Sequence, residues 1–155
     1  MGNLRVAVCD DEPMDLVQTI TLIQQYDTGK CFDIFSYTRA VDLLKIALEK
    51  PFDVVLLDIE METPNGYEIA KKLVMLPSPP VIIFVTKSSA YTLKGYGIAL
   101  RYLQKPLARA AFEEALDASV HEAIAHRLYF TSEDRTVALP LREILYIEMF
   151  GHYAV

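Results

Sequence analysis

Three of the strand-like stretches before residue 126 are apolar without interruption: Val6-Ala7-Val8-Cys9, Val54-Val55-Leu56-Leu57 and Val81-Ile82-Ile83-Phe84-Val85. A strand without polar alternation is buried on both faces, the habit of a parallel sheet covered by helices. Between these runs the apolar spacing lengthens to a helical period. It predicts a helix from Pro13, which suits a first helical turn, to about Tyr26, with Leu16, Val17, Ile20 and Ile23 inward. A second helix is predicted over about 38–49, with Val41, Leu44 and Leu48 inward and Pro51 as its stop. A third follows a loop through Gly66 and runs to about Met75, before Pro77-Ser78-Pro79-Pro80, a run that cannot be helical. Two more cover about 89–96 and 107–126, the last with Leu107, Ala111, Leu116 and Val120 inward. The strands expected are residues 4–9, Cys31–Phe35, Phe52–Leu57, Val81–Val85 and 101–104.

Five strands alternating with five helices imply an α/β domain with a doubly wound parallel sheet. Asp33 inside the second strand marks it as an edge, which supports the order 2-1-3-4-5 with right-handed crossovers. After residue 126 the pattern turns to short strands: Leu128–Thr131, Thr136–Leu139 and Ile144–Ile147, with Glu133-Asp134-Arg135 as a hairpin turn. This piece is too short to close a core. The expected organisation is a domain over 1–122, a linker over 123–127, and the cut-short start of a second domain over 128–155.

Length and charge narrow the function classes. At 155 residues there is room for one full domain and part of another. No apolar run is long enough to span a bilayer, and no signal-peptide pattern opens the chain. A cytoplasmic protein without membrane attachment is expected. Cys9 and Cys31 lie in apolar strand patterns and are expected as buried free thiols. Residues 1–122 carry 12 Lys and Arg against 17 Asp and Glu, so this part has no electrostatic case for binding nucleic acid.

The chemistry gathers at strand ends, where open α/β sheets bind their ligands. The first strand runs into Asp10 and Asp11, the third into Asp58, the fourth into Thr86 and the fifth into Lys105-Pro106. Taken singly, each has an ordinary reading. Asp10-Asp11-Glu12 is an acid run at a helix start, Thr86 a helix cap, and Asp58 a loop residue. Together they put three carboxylates, a hydroxyl and an ammonium in one pocket. Converging carboxylates either bind a hard cation or supply a nucleophile, and Mg2+ would relieve their mutual repulsion.

These residues carry a resemblance. Val-Ala-Val-Cys-Asp-Asp-Glu-Pro, Leu-Leu-Asp-Ile-Glu-Met with Gly66 eight residues beyond Asp58, Phe-Val-Thr and Tyr-Leu-Gln-Lys-Pro together resemble the response-regulator receiver domain over residues 4 to about 122. The resemblance implies a flavodoxin-like fold, and it implies that Asp58 accepts a phosphoryl group from a sensor histidine kinase. It makes Asp10, Asp11 and Asp58, with the main-chain carbonyl of Glu60, the ligands of Mg2+. Thr86 and Tyr102 match its switch positions, Lys105 its phosphate-pairing lysine, and the Lys105–Pro106 bond is cis in that family. Two departures stand out. Glu62 occupies the place four residues after the acceptor where the family usually has proline, with Pro64 later. Lys87 follows the switch threonine where a small residue is usual; it either pairs with phosphate or shields it from water, or is a solvated helix-start lysine.

The tail, Val-Ala-Leu-Pro-Leu-Arg-Glu-Ile-Leu-Tyr-Ile-Glu-Met-Phe-Gly-His-Tyr, is similar to the opening of a LytTR-type DNA-binding domain. That implies promoter DNA as a partner and His152 near an early DNA-facing loop, where an ordinary turn histidine is the competing reading; a homodimer on phosphorylation is expected from the Thr86 and Tyr102 switch. The function expected is a phosphorylation-activated transcriptional regulator, not an enzyme beyond slow self-dephosphorylation. Two competing functions would leave different patterns. A haloacid-dehalogenase-like phosphatase would carry its nucleophile on the first strand in an Asp-x-Asp pattern. A receiver-like scaffold that signals without phosphate would be expected to have lost an acid or the lysine.

Overall fold

The unbroken apolar runs form the centre of a five-stranded parallel sheet. The computed structural model describes residues 2–90, 97–131, 136–140, 149–150 and 153–154. Its strands are β1 (Leu4–Cys9), β2 (Phe32–Tyr37), β3 (Val54–Leu57), β4 (Val81–Thr86) and β5 (Arg101–Gln104), in the order β2-β1-β3-β4-β5. All four pairings are parallel, with Val6 opposite Val54, Leu56 opposite Ile83 and Val85 opposite Leu103. This register lines up side chains of one parity across the sheet. Val6, Val8, Leu56, Ile83 and Val85 point into one core with Leu16, Ile23 and Phe112. Ala7, Cys9, Val55, Leu57, Ile82 and Phe84 point into the other with Leu43, Phe52 and Ile69.

Among the described residues, four helices cover the two faces: α1 (Pro13–Tyr26), α2 (Ala40–Glu49), α3 (Gly66–Leu73) and α4 (Arg109–Ala125). Their inward faces differ in part from the expectation. On α1, Leu16, Thr19 and Ile23 are buried while Val17 is exposed, because a face centred on Leu16 and Ile23 leaves Val17 about 100° round the helix from Leu16. On α2 the buried set is Ala40, Leu43 and Ala47, and Leu48 is exposed. The small alanines let the backbone approach the sheet, and the larger Val41 and Leu44 pack at the flanks. On α4, Phe112, Ala115, Leu116, Ser119 and Ala123 are buried and Ala111 is exposed.

Other differences are local. Cys31 lies just outside β2 and is exposed rather than buried. Its neighbour Asp27 holds this turn, accepting from the Cys31 and Phe32 amides at 2.8 and 2.9 Å. The segment 123–127 is helical up to Ala125, and β6 begins at Arg127. β6 (Arg127–Thr131) pairs antiparallel with β7 (Thr136–Pro140), and β8 (Met149–Phe150) with β9 (Tyr153–Ala154). Residues 89 and 90 are not helical. The remainder of the helix expected over 89–96, the turn Glu133-Asp134-Arg135, the strand Ile144–Ile147 and His152 lie outside the described residues. Among the described residues, no helix is long and apolar enough to cross a membrane.

Candidate functional site

Asp10 and Asp58 leave the sheet side by side because β1 and β3 are parallel neighbours, with Cys9 opposite Leu57. The Asp58 amide extends the pairing by donating to the Cys9 carbonyl at 3.0 Å. Both side chains are buried, and each is fixed by its own loop. Asp10 Oδ1 accepts from the Glu12 amide at 2.9 Å, and Asp58 Oδ1 from the Glu60 amide at 2.9 Å. Their other oxygens face Lys105, whose Nζ donates to Asp10 Oδ2 at 2.6 Å and to Asp58 Oδ2 at 2.9 Å. Lys105 is delivered by the end of β5: its amide donates to the Thr86 carbonyl at 2.9 Å. The Lys105–Pro106 bond is cis, as the resemblance implies, and Thr63–Pro64 is cis as well.

The same ammonium has a third carboxylate that the sequence reading did not single out. Asp15, in the first turn of α1, accepts from Lys105 Nζ at 2.9 Å, and Lys87 Nζ stands 3.5 Å from the same Asp15 oxygen. The signal for it was present, since Asp15 lies in the first turn of the helix that follows Asp10-Asp11. It was hidden because an acid in a first turn is explained well enough by the helix dipole.

Lys105 offsets part of the negative charge gathered here. Burial by itself lowers the affinity of Lys105 for its proton, but hydrogen bonds to Asp10, Asp15 and Asp58 outweigh it and hold the ammonium above the usual lysine range. Burial raises Asp10 above the usual carboxylate range, against the pull of Lys105 and the Glu12 amide. The Lys105 hydrogen bond, with Lys87 adding to it, holds the Asp15 carboxyl below that range.

Asp11 sits exposed at the mouth, and carboxylate oxygens of Asp10, Asp11 and Asp58 all lie within 4.8 Å of one another. This all-oxygen set suits a hard divalent cation, and the exposed side leaves room for water ligands. A hollow of about 370 Å³ lined by Asp11, Thr38, Arg39, Met61 and Pro64 opens beside it.

Thr86 ends β4 fully buried, its Oγ1 accepting from the Ser88 amide at 3.4 Å. Tyr102 lies opposite Phe84 on the neighbouring strand and meets that ring edge-on at 6.2 Å. Its hydroxyl donates to the Ser88 carbonyl. Both expected switch residues are therefore tied to one loop residue, Ser88. On the other side of Asp58, α3 begins almost in contact with the acid. A Cβ added at Gly66 would lie 1.9 Å from the Asp58 carbonyl oxygen, so glycine is required here by close approach. Asn65 and Glu68 form a reciprocal capping box that holds this helix start.

Residues 6–117 match the model of the response regulator receiver domain family. The chain is 29% identical over 114 residues to the sensory transduction protein LytR of Streptococcus mutans, covering 73% of this chain and 47% of that protein. The protein of the same name from Streptococcus agalactiae is 24% identical over 159 residues, covering 92% of this chain and 65% of that protein. The response regulatory domain of mrkE from Klebsiella pneumoniae superposes with a TM-score of 0.71 at 20% identity, covering 77% of this chain and 98% of that one. The chain spans about half the length of most of the curated relatives it matches. It belongs to the response regulator receiver domain family.

Proposed function

We propose that this chain works in the cytoplasm and that Asp58 is the phosphoacceptor through which a sensor histidine kinase controls it. The observation that carries the reading is the buried Asp58 carboxylate held 2.9 Å from Lys105 Nζ, with Asp10 and Asp11 beside it. One Asp58 oxygen bonds phosphorus as the donor's P–N bond breaks, and the electron pair stays on the imidazole nitrogen, which takes up a proton. Asp10, Asp11 and Asp58, with the main-chain carbonyl of Glu60, would hold Mg2+, which offsets phosphoryl charge when bound. Lys105 pairs with a phosphoryl oxygen, and the Thr86 hydroxyl turns toward it. Intact mass after acetyl phosphate and Mg2+ should show one added phosphoryl group, absent in Asp58→Asn. Unchanged labelling of that variant would remove Asp58 from the role. Asp11→Ala should weaken Mg2+ binding and labelling while the fold persists.

The switch follows from Ser88. When Thr86 turns to phosphate, its Ser88 contact is released, and Ser88 also anchors Tyr102. The Tyr102 ring then moves and reshapes the surface beside β5, which favours a homodimer. Phosphate acts here only through contacts that differ between the two states. Thr86→Ala should still accept phosphate yet self-associate weakly with beryllofluoride, as read by sedimentation. The output we propose is promoter DNA binding by a LytTR-type domain beginning near residue 128. The alignment with the S. agalactiae LytR protein, which covers 92% of this chain, supports it. Gel-shift titration with a protein extended beyond Val155 tests it.

A further inference from the structure

An ammonium has three N–H donors, and in this pocket all three of Lys105 are engaged, by Asp10, Asp15 and Asp58. A phosphoryl oxygen can pair with Lys105 only by displacing one of them. The three are not equally held. Asp10 is buried and its second oxygen is fixed by the Glu12 amide, and Asp58 is buried and fixed by the Glu60 amide. Asp15 is the outermost, with 23% of its side chain exposed, and it lies outside the group of carboxylates that could share a cation. Its other cation is already in place: Lys87, 64% exposed, stands 3.5 Å from the oxygen that Lys105 also holds.

We propose that Asp15 is a positioning residue that occupies the phosphate-binding donor of Lys105 in the resting protein and passes to Lys87 when phosphate arrives. The proposal rests on the reading of Asp58 as phosphoacceptor. Asp15 acts as a brake, since its negative charge must move away from an incoming anion. Lys87 eases the release by offering the carboxylate a second partner. This gives the lysine after Thr86 a function without any direct contact to phosphate. It also separates two roles that a simple cation at the pocket mouth would merge.

Beryllofluoride titrated in the presence of Mg2+, read by isothermal calorimetry, tests the exchange on the full chain. Asp15→Asn keeps the shape and removes the charge. It should bind at least about fivefold tighter, the effect of one unit charge near 4 Å in water-like surroundings. Asp15→Ser should shift binding in the same direction. Lys87→Gln should weaken binding severalfold in the native background and have much less effect when combined with Asp15→Asn. Unchanged or weaker binding by both Asp15 variants, with thermal melts showing them folded, would overturn the brake. An equal Lys87→Gln penalty with and without Asp15 would mean that Lys87 meets the anion directly, and the exchange would fall. Asp58→Asn separates the two levels: if it still binds beryllofluoride, the phosphoacceptor reading fails, whatever Asp15 does.

Discussion

The two ends of the sheet are built from the same strands and could hardly differ more. At the carboxyl ends, Asp10, Asp58, Thr86 and Lys105 meet within hydrogen-bond reach, and all are largely buried. At the amino ends of β4 and β5 a cleft of about 500 Å³ is lined by Pro77, Pro79, Pro80, Ile98 and Leu100, with Asp53, Glu122 and His126 as its ionisable residues. Among the described residues that line it there is no lysine or arginine. Parallel strands bring all their carboxyl ends to one edge, and every polar residue placed just beyond a strand arrives there. At the other edge the chain returns from helices, and proline-rich connections need only close the turn. The strands therefore supply position, and the residue after each strand supplies chemistry.

The strongest way to break this contrast is to remove the ammonium. Lys105→Met leaves Asp10 and Asp58 buried without their cation, which should cost about 3–5 kcal/mol in denaturant unfolding at neutral pH. The pH dependence should change as well. A lysine whose folded-state pKa is raised contributes stability in full below its unfolded value of about 10.4 and loses it as pH rises past the folded value. The native protein should therefore weaken on the alkaline side, and the methionine variant should lack that loss. In the variant the unpaired carboxylates favour protonation, so lowering the pH from 7 should restore part of its stability. A stability curve for the variant parallel to the native one would mean that the charged end is solvated and loosely paired.

A smaller effect is expected at the helix start behind the acceptor. Gly66→Ala sets a Cβ against the Asp58 carbonyl, where 1.9 Å is far inside contact. Overpacking of this kind costs about 1–3 kcal/mol, and more where backbone must move. Because the displaced atom belongs to Asp58 itself, labelling by acetyl phosphate should fall along with stability. The matching change at the amino end is Ile82→Val, in a residue 1% exposed that lines the cleft. It should cost about 0.5–1.5 kcal/mol and leave the labelling rate unchanged. If labelling drops in both variants by the same factor, the two ends are not separable.

How far this contrast could be read from the chain follows the same division. The apolar runs over Val6–Cys9, Val54–Leu57 and Val81–Val85 can be satisfied only by burial on both faces, so the sheet and its order were legible. So were Asp10, Asp58, Thr86 and Lys105, because each ends or directly follows a strand. What escaped depends on how helices turn. Hydrophobicity favours Val41, Leu44 and Leu48 over the alanines, yet Ala40 and Ala47 face the sheet because close approach rewards small side chains. Asp15 reaches Lys105 from a helix whose rotation no strand pattern sets. Gly66 was visible as a motif position, but the reason for it is a carbonyl eight residues back that becomes its neighbour only in three dimensions.

The gentlest probe uses the two cysteines, one at each end. Cys9 closes β1 at the carboxyl end, and its thiol is pushed up to about 12, first by burial and then by the charges of Asp10, Asp11 and Asp58. Cys31 precedes β2 at the amino end and is exposed, its sulfur 3.7 Å from the Gly29 carbonyl oxygen. The thiolate is the reactive form, and at pH 8 a thiol with a pKa near 12 is ionised to the extent of on the order of one part in ten thousand. Iodoacetamide at that pH should add one group to the native protein, on Cys31, and a second in denaturant, as located by peptide mapping. Asp58→Asn removes one of the charges that suppress the Cys9 thiolate but leaves the burial, so protection of Cys9 should persist in that variant. Native labelling of Cys9 at a rate near that of Cys31 would mean that the carboxyl end opens to solvent, and the contrast between the two ends would fail at its buried side.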